Sequence, residues 1–221
     1  MKLVLTSRGI SNKSIENELR NVIGKNFKDL KMLFCTTASN YQGGDMSGWL
    51  VENIEYFKKL GFKIDVCDIN GISIEKFLPR FEWADIFYFE GGNAQWLRKS
   101  IKNSGLEEYL EELLKTRVWI GASAGSCVLC PTIFNPCQDL FDDNIEGFPI
   151  DGVHLVNFQF VPHLNNESFP KIRKDILLNA SKKLKEIDGE KIYVVDDNGA
   201  VFVDGKDIKV ISEGNWFEIV K

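Results

Sequence analysis

The sequence predicts an α/β fold: a mostly parallel sheet with helices on both faces and a small C-terminal antiparallel meander. Three observations predict it. Short apolar runs recur at 3–6, 32–36, 62–66, 86–89, 118–121, 154–161 and 192–195, and continuous runs of that length suit strands buried on both faces. Segments with helical spacing separate most of them, as crossover helices separate parallel strands. The tail then changes character. From Asp196 onward, three β-like stretches at 200–203, 208–211 and 216–220 are divided by Asp204-Gly205 and Glu213-Gly214-Asn215, which are turn signals of an antiparallel meander.

Taken in order, the first run follows Met1-Lys2 and turns polar at Thr6-Ser7. It is too short for the apolar region of a secretory leader, so it reads as a strand and points to a cytoplasmic protein. A helix follows over 15–23, with Ser14 placed to cap it. Further helices are expected over 48–60, 74–81, 95–114 with a break near Gly105, and 170–184. No linker, repeat or low-complexity tract divides the 221 residues, so residues 1–221 read as a single domain.

Composition narrows the function. The net charge is −5, with 27 Lys+Arg against 32 Asp+Glu, which gives no bulk attraction to nucleic acid or an anionic membrane. No apolar run reaches the roughly 18 residues a membrane span needs. Five cysteines, an odd number, fit a reducing compartment. Cys127 and Cys130 form a C-x-x-C with Cys137 nearby, but no second pair follows, so these read as buried small hydrophobes. With only two histidines, His154 and His163, a three-histidine metal site is excluded.

Ligands of parallel sheets bind beyond the carboxyl ends of the strands, so chemistry is sought just after each apolar run. Gly121-Ala122-Ser123-Ala124-Gly125 follows the run at 118–121. This G-x-S-x-G pattern lifts a serine above the sheet on a strained turn and sets backbone N–H groups, beginning with that of Ala124, beside it. The alternative is a turn of small residues without chemistry. Phe89-Glu90-Gly91-Gly92-Asn93 closes another strand. Its glycines let backbone approach a ligand and offer a second oxyanion donor, whereas Asn93 suits a helix N-cap equally well.

Pro162-His163-Leu164-Asn165-Asn166 closes a third run. A serine nucleophile needs an imidazole-like base, and His163 stands at the ligand end of its strand, while His154 opens the same run at the wrong end. An acid must orient that base. Asp197 and Asp196 qualify, as do Asp139, Asp142 and Asp143 after the elbow, and spacing does not separate them. The loop 41–46 is glycine-rich but lacks phosphate-binding signatures, so it either lines the cleft or is an ordinary loop.

These motifs, with Cys130-Pro131-Thr132 behind the elbow, resemble the peptidase E / cyanophycinase family of serine peptidases. The resemblance runs from the first strand to about Gly199. It implies a three-layer, flavodoxin-like sheet related to class I glutamine amidotransferase domains, with serine in place of their elbow cysteine. It implies Ser123 as nucleophile, His163 as base, Asp197 as counterpart of the family's late glutamate, and the Gly92 and Ala124 N–H groups as oxyanion hole. Asn93, Asn165 and Arg173 become candidate substrate contacts. Arg173 stands about half a helical turn from the family's substrate-holding arginine, so aspartyl specificity does not carry over. The expected function is a serine exopeptidase, dipeptidase-like, acting on short peptides without cofactor or metal. An esterase or amidase at the same site, and a silent binding domain on this scaffold, are the alternatives.

Overall fold

The computed structural model describes residues 1–133, 140–141, 144–183 and 191–220. Cys137, Asp139, Asp142, Asp143 and Leu184 lie outside them. The main sheet has seven strands in the order β3-β2-β4-β5-β1-β8-β9. Its parallel part is β3 (Lys63–Cys67), β2 (Lys31–Cys35), β4 (Ile86–Phe89), β5 (Val118–Ala122) and β1 (Lys2–Thr6). The hairpin β8 (Gly199–Asp204) and β9 (Asp207–Ser212) extends it antiparallel from β1.

Side chains alternate across the pleat, and both sets are buried. Leu3, Leu5, Leu33, Phe87, Phe89 and Trp119 pack on one face. There they meet α4 (Ile74–Trp83), α5 (Ala94–Asn103) and α6 (Glu107–Leu113) through Phe77, Phe81, Leu97, Ile101 and Leu110. Their neighbours Val4, Met32, Phe34, Ile86, Tyr88 and Ile120 pack on the other face, against Ile15 and Leu19 of α1 (Lys13–Ile23) and Phe57 of α3 (Glu52–Leu60). This is the three-layer α/β arrangement the apolar runs predict.

Several boundaries differ from expectation. Asn12, not Ser14, caps α1: its side chain accepts from the Ile15 N–H at 3.0 Å. The helix expected over 48–60 opens as a π-helical turn, Ser47–Val51, before α3, and α2 (Thr37–Gln42) precedes it. Gly105, at φ +78°, divides α5 from α6 as expected. The run 154–161 is a strand only over Gln159–Val161, β6. His154 is exposed at φ +61° and lies outside it, so it opens no strand.

The meander also divides. β10 (Trp216–Val220) does not pair with β9. It runs antiparallel to β7 (Lys191–Val195), which pairs parallel with β6 in a second sheet. That small sheet has its own core of Val161, Ile172, Leu177, Ile192 and Val194 beside α8 (Lys174–Lys183). The carboxyl ends of β1, β4 and β5 in one sheet and of β6 and β7 in the other supply the residues of a single site. Among the described residues, no helix is long and apolar enough to cross a membrane.

Candidate active site

The turn after β5 is built to lift Ser123. Its backbone lies at φ +45° and ψ −107°, a region costing a non-glycine residue about 1–3 kcal/mol. The strain is held by the surroundings. The Ser123 N–H donates to the Thr6 carbonyl at 3.0 Å, and the Ser126 hydroxyl donates to the same carbonyl at 2.9 Å. Trp119, stacked on Phe89 with centroids 3.7 Å apart, donates its indole N–H to the Gly125 carbonyl at 3.0 Å. A Cβ on Gly125 would stand 2.0 Å from the Phe89 carbonyl oxygen, so only glycine lets α7 (Ala124–Cys127) sit this close to β4.

Ser123 Oγ is 2.9 Å from His163 Nε2, and His163 Nδ1 is 2.7 Å from Asp197 Oδ1. Burial raises the Asp197 carboxyl, but hydrogen bonds from His163, Ser7 and Asn166 outweigh it and hold the group well below the usual carboxylate range. An ionised Asp197 only accepts. The Nδ1 proton is therefore on His163, and Nε2 is left to accept from the serine hydroxyl. His163 itself sits at φ +64°, with its ring stacked on Phe169 at 4.5 Å and met edge-on by Phe141 at 6.4 Å.

Two members of this network escaped the sequence reading. Ser7 donates its hydroxyl to Asp197 Oδ1 at 2.7 Å and accepts from the His163 backbone N–H at 2.9 Å. Asn166 donates to Asp197 Oδ2 at 2.6 Å. Both stand where the strand-end rule points. Ser7 is the residue after β1, but its polarity reads as the end of a strand. Asn166 is one place beyond the asparagine singled out from the same motif.

Two N–H groups face no acceptor among the described residues: that of Ala124, at the free first turn of α7, and that of Gly92. Gly92 adopts φ +131°, and a Cβ there would lie 2.3 Å from the Ala38 carbonyl. Together with Ser123, His163 and Asp197 these residues border a cavity of about 430 Å³ that Glu90, Arg8 and Trp49 also line. In series, the hydroxyl, imidazole and carboxylate can draw a proton from Oγ while unpaired N–H groups receive negative charge on a carbonyl oxygen.

Comparison with known proteins fits this geometry. The sequence profile of peptidase family S51 matches residues 3–211. The chain belongs to peptidase family S51. The uncharacterized peptidase Lmo0363 of Listeria monocytogenes is 27% identical over 196 residues, covering 82% of this chain and 93% of that protein. Peptidase E of Nostoc sp. is 26% identical over 155 residues, covering 69% and 59% respectively. A crystal structure of a candidate peptidase E from L. monocytogenes EGD-e superposes with a TM-score of 0.75 at 24% identity, covering 96% of this chain and 98% of that one. A peptidase from an acI-B1 actinobacterium gives 0.66 at 19%, covering 97% and 88%. Membership makes this protein a peptidase, and the structural likenesses bear on its fold.

The remaining S51 candidates fall elsewhere. Asn93 caps α5, accepting from the Trp96 N–H at 2.8 Å, and is buried outside the cavity lining. Asn165 is exposed at φ +63° and does not line the cavity that Asn166 borders. Arg173 spends its guanidinium on the carbonyls of Phe169, Ile172 and Asn166. None of these three lines the cavity among the described residues. Asp196 accepts from the Asn198 and Asn215 backbones and so braces the turn toward β10 rather than His163. Gln42, the last residue of α2 and part of the glycine-rich stretch 41–46, borders the cavity. Cys127 and Cys130 are buried, and burial pushes the Cys130 thiol up to about 12. No group of three or more His, Cys, Asp or Glu side chains is arranged to hold a metal ion among the described residues.

Proposed function

We propose that this S51 peptidase is a serine exopeptidase that cleaves short peptides through an acyl-enzyme on Ser123. One observation carries the reading: a strained elbow serine 2.9 Å from an imidazole that is itself 2.7 Å from a half-buried, ionised carboxylate. Ser123 Oγ attacks the scissile carbonyl carbon as His163 Nε2 takes its proton. The carbonyl oxygen becomes an oxyanion held by the Gly92 and Ala124 N–H groups, each donor contributing about 2.7–4 kcal/mol to the transition state.

His163, now an imidazolium beside Asp197, returns its proton to the leaving amine. The C–N bond breaks and the acyl group stays on Ser123. Water then attacks the ester, giving a proton to His163, and Ser123 leaves with that proton restored. Asp197 fixes the imidazole tautomer and balances its charge, and it needs no proton of its own. The small cavity favours short substrates. A cytoplasmic setting and a single-domain organisation are part of the same reading.

A panel of Xaa-Ala dipeptides, followed by mass spectrometry with the wild type and Ser123→Ala, tests it. Hydrolysis by the wild type and a loss of about 10⁴-fold or more in the variant are expected. Equal rates in both would overturn it.

A further inference from the structure

Glu90 is a carboxylic acid that the proton relay does not use. It follows β4, is 2% exposed and lines the same cavity as Ser123. Its oxygens accept from two neutral donors, the Gly91 N–H at 2.8 Å and the Asn53 amide at 3.0 Å. A carboxylate offers about four acceptor sites, so half of its capacity is unspent. No cationic side chain pairs with it among the described residues.

Burial pushes the Glu90 carboxyl up to about 7, against the lowering pull of those two donors. Tyr88, two positions earlier on the same strand face, has a buried hydroxyl with no hydrogen-bond partner among the described residues. Besides the buried Cys127 thiol, the other ionisable side chains at the cavity are Arg8, His163 and Asp197. Arg8 and His163 present nothing to a cation, and Asp197 already accepts three hydrogen bonds, from Ser7, His163 and Asn166, where Glu90 accepts two. Glu90 is thus the carboxylate left for a positively charged ligand group.

Position decides which group. On the reading just given, on which this inference rests, the carbonyl under attack points its oxygen at the Gly92 N–H, two residues beyond Glu90. Gly91 lies between them, and a Cβ there would stand 3.4 Å from the Ser123 Cβ. The α-nitrogen of the acyl residue is one carbon from that carbonyl. Neighbouring Cα atoms are about 3.8 Å apart, so an α-ammonium falls within the span of the 90–92 segment. A lysine ammonium, on its four-carbon stem, reaches farther.

We propose that Glu90 is the subsite for the free α-ammonium of the substrate's first residue. The enzyme then takes peptides with an unblocked amino terminus and releases that residue.

The test compares Xaa-Ala dipeptides with their Nα-acetyl counterparts, including Nα-acetyl-Lys-Ala, in the wild type and Glu90→Gln, with fluorophosphonate labelling of Ser123 run alongside. The wild type should prefer the free amine by about 100-fold in kcat/KM, the size of a lost buried charge pair. Glu90→Gln should collapse that ratio to below about tenfold. If Glu90 only braced Asn53 and Gly91, both substrate classes would fall together and the ratio would stand, which overturns the assignment. So would equal cleavage of blocked and free peptides by the wild type, a comparison that needs no variant, or a preference for Nα-acetyl-Lys-Ala. Labelled Ser123 without an amine preference overturns the Glu90 subsite alone. Neither labelling nor hydrolysis overturns the peptidase mechanism beneath it.

Discussion

Ser7 serves three neighbours with one hydroxyl. It gives its hydrogen to Asp197, accepts from the His163 backbone and lies 3.2 Å from His163 Nδ1. It touches no reacting atom, so it is a positioning residue. Removing a hydrogen bond to a charged group costs about 1.5–3 kcal/mol, which is about 10- to 150-fold in rate. Ser7→Ala should lower kcat within that range and leave KM nearly unchanged, as steady-state kinetics will read. Asp197→Asn should cost more, about 10⁴-fold in kcat, because an amide can hold the imidazole in the wrong tautomer. At this scale the sequence was partly legible. Ser123 and His163 stand after apolar runs and are marked by residue type, whereas Asp197 was one of several candidate aspartates that spacing did not separate. Asn166 was not marked, because the neighbouring Asn165 bends the chain at φ +63°, and the side that each side chain of a turn faces depends on that bend.

At the scale of elements, glycine sets how closely the pieces of the site approach. Gly125 lets α7 lie against β4, and Gly92 lets its turn lie against Ala38. Alanine at either position forces backbone apart, since the obstructing atoms are main-chain carbonyls rather than flexible side chains. Gly125→Ala should destabilise the fold by about 1–3 kcal/mol or more and also slow hydrolysis by displacing Ser123; thermal melting and kinetics together check this. The parallel strands were legible because both of their faces are apolar. The tail was less so. Its three stretches read as one meander, yet β10 leaves the hairpin to join β7. Strand pairing is chosen by tertiary partners, and alternating short strands carry no label for which sheet they enter. The run 154–161 misled for a related reason: apolar residues there pack into the core from irregular backbone.

Over the whole molecule, carboxyls with opposite shifts shape stability against pH. Burial raises Glu16, but hydrogen bonds from Lys13, Arg20 and Tyr56 bring it down to about 2, and Asp197 is likewise lowered. Their contribution is complete above the ordinary carboxylate range and disappears as pH falls through their folded values. Glu90 acts in the other direction. With a folded value of about 7, its contribution is complete below about pH 4.3 and is lost as pH rises through 7, a change of about 3 kcal/mol. Urea unfolding of the ligand-free protein should therefore show greatest stability near pH 5, and Glu90→Gln should flatten the decline between pH 5 and 8. The assembly of the two sheets brings an elbow from one to a histidine from the other. That meeting is tested most directly by exposing the protein to a fluorophosphonate and mapping the adduct by peptide mass. The account predicts a single adduct on Ser123, forming far more slowly in His163→Ala. An adduct on another residue, or equal rates in the two proteins, would contradict it.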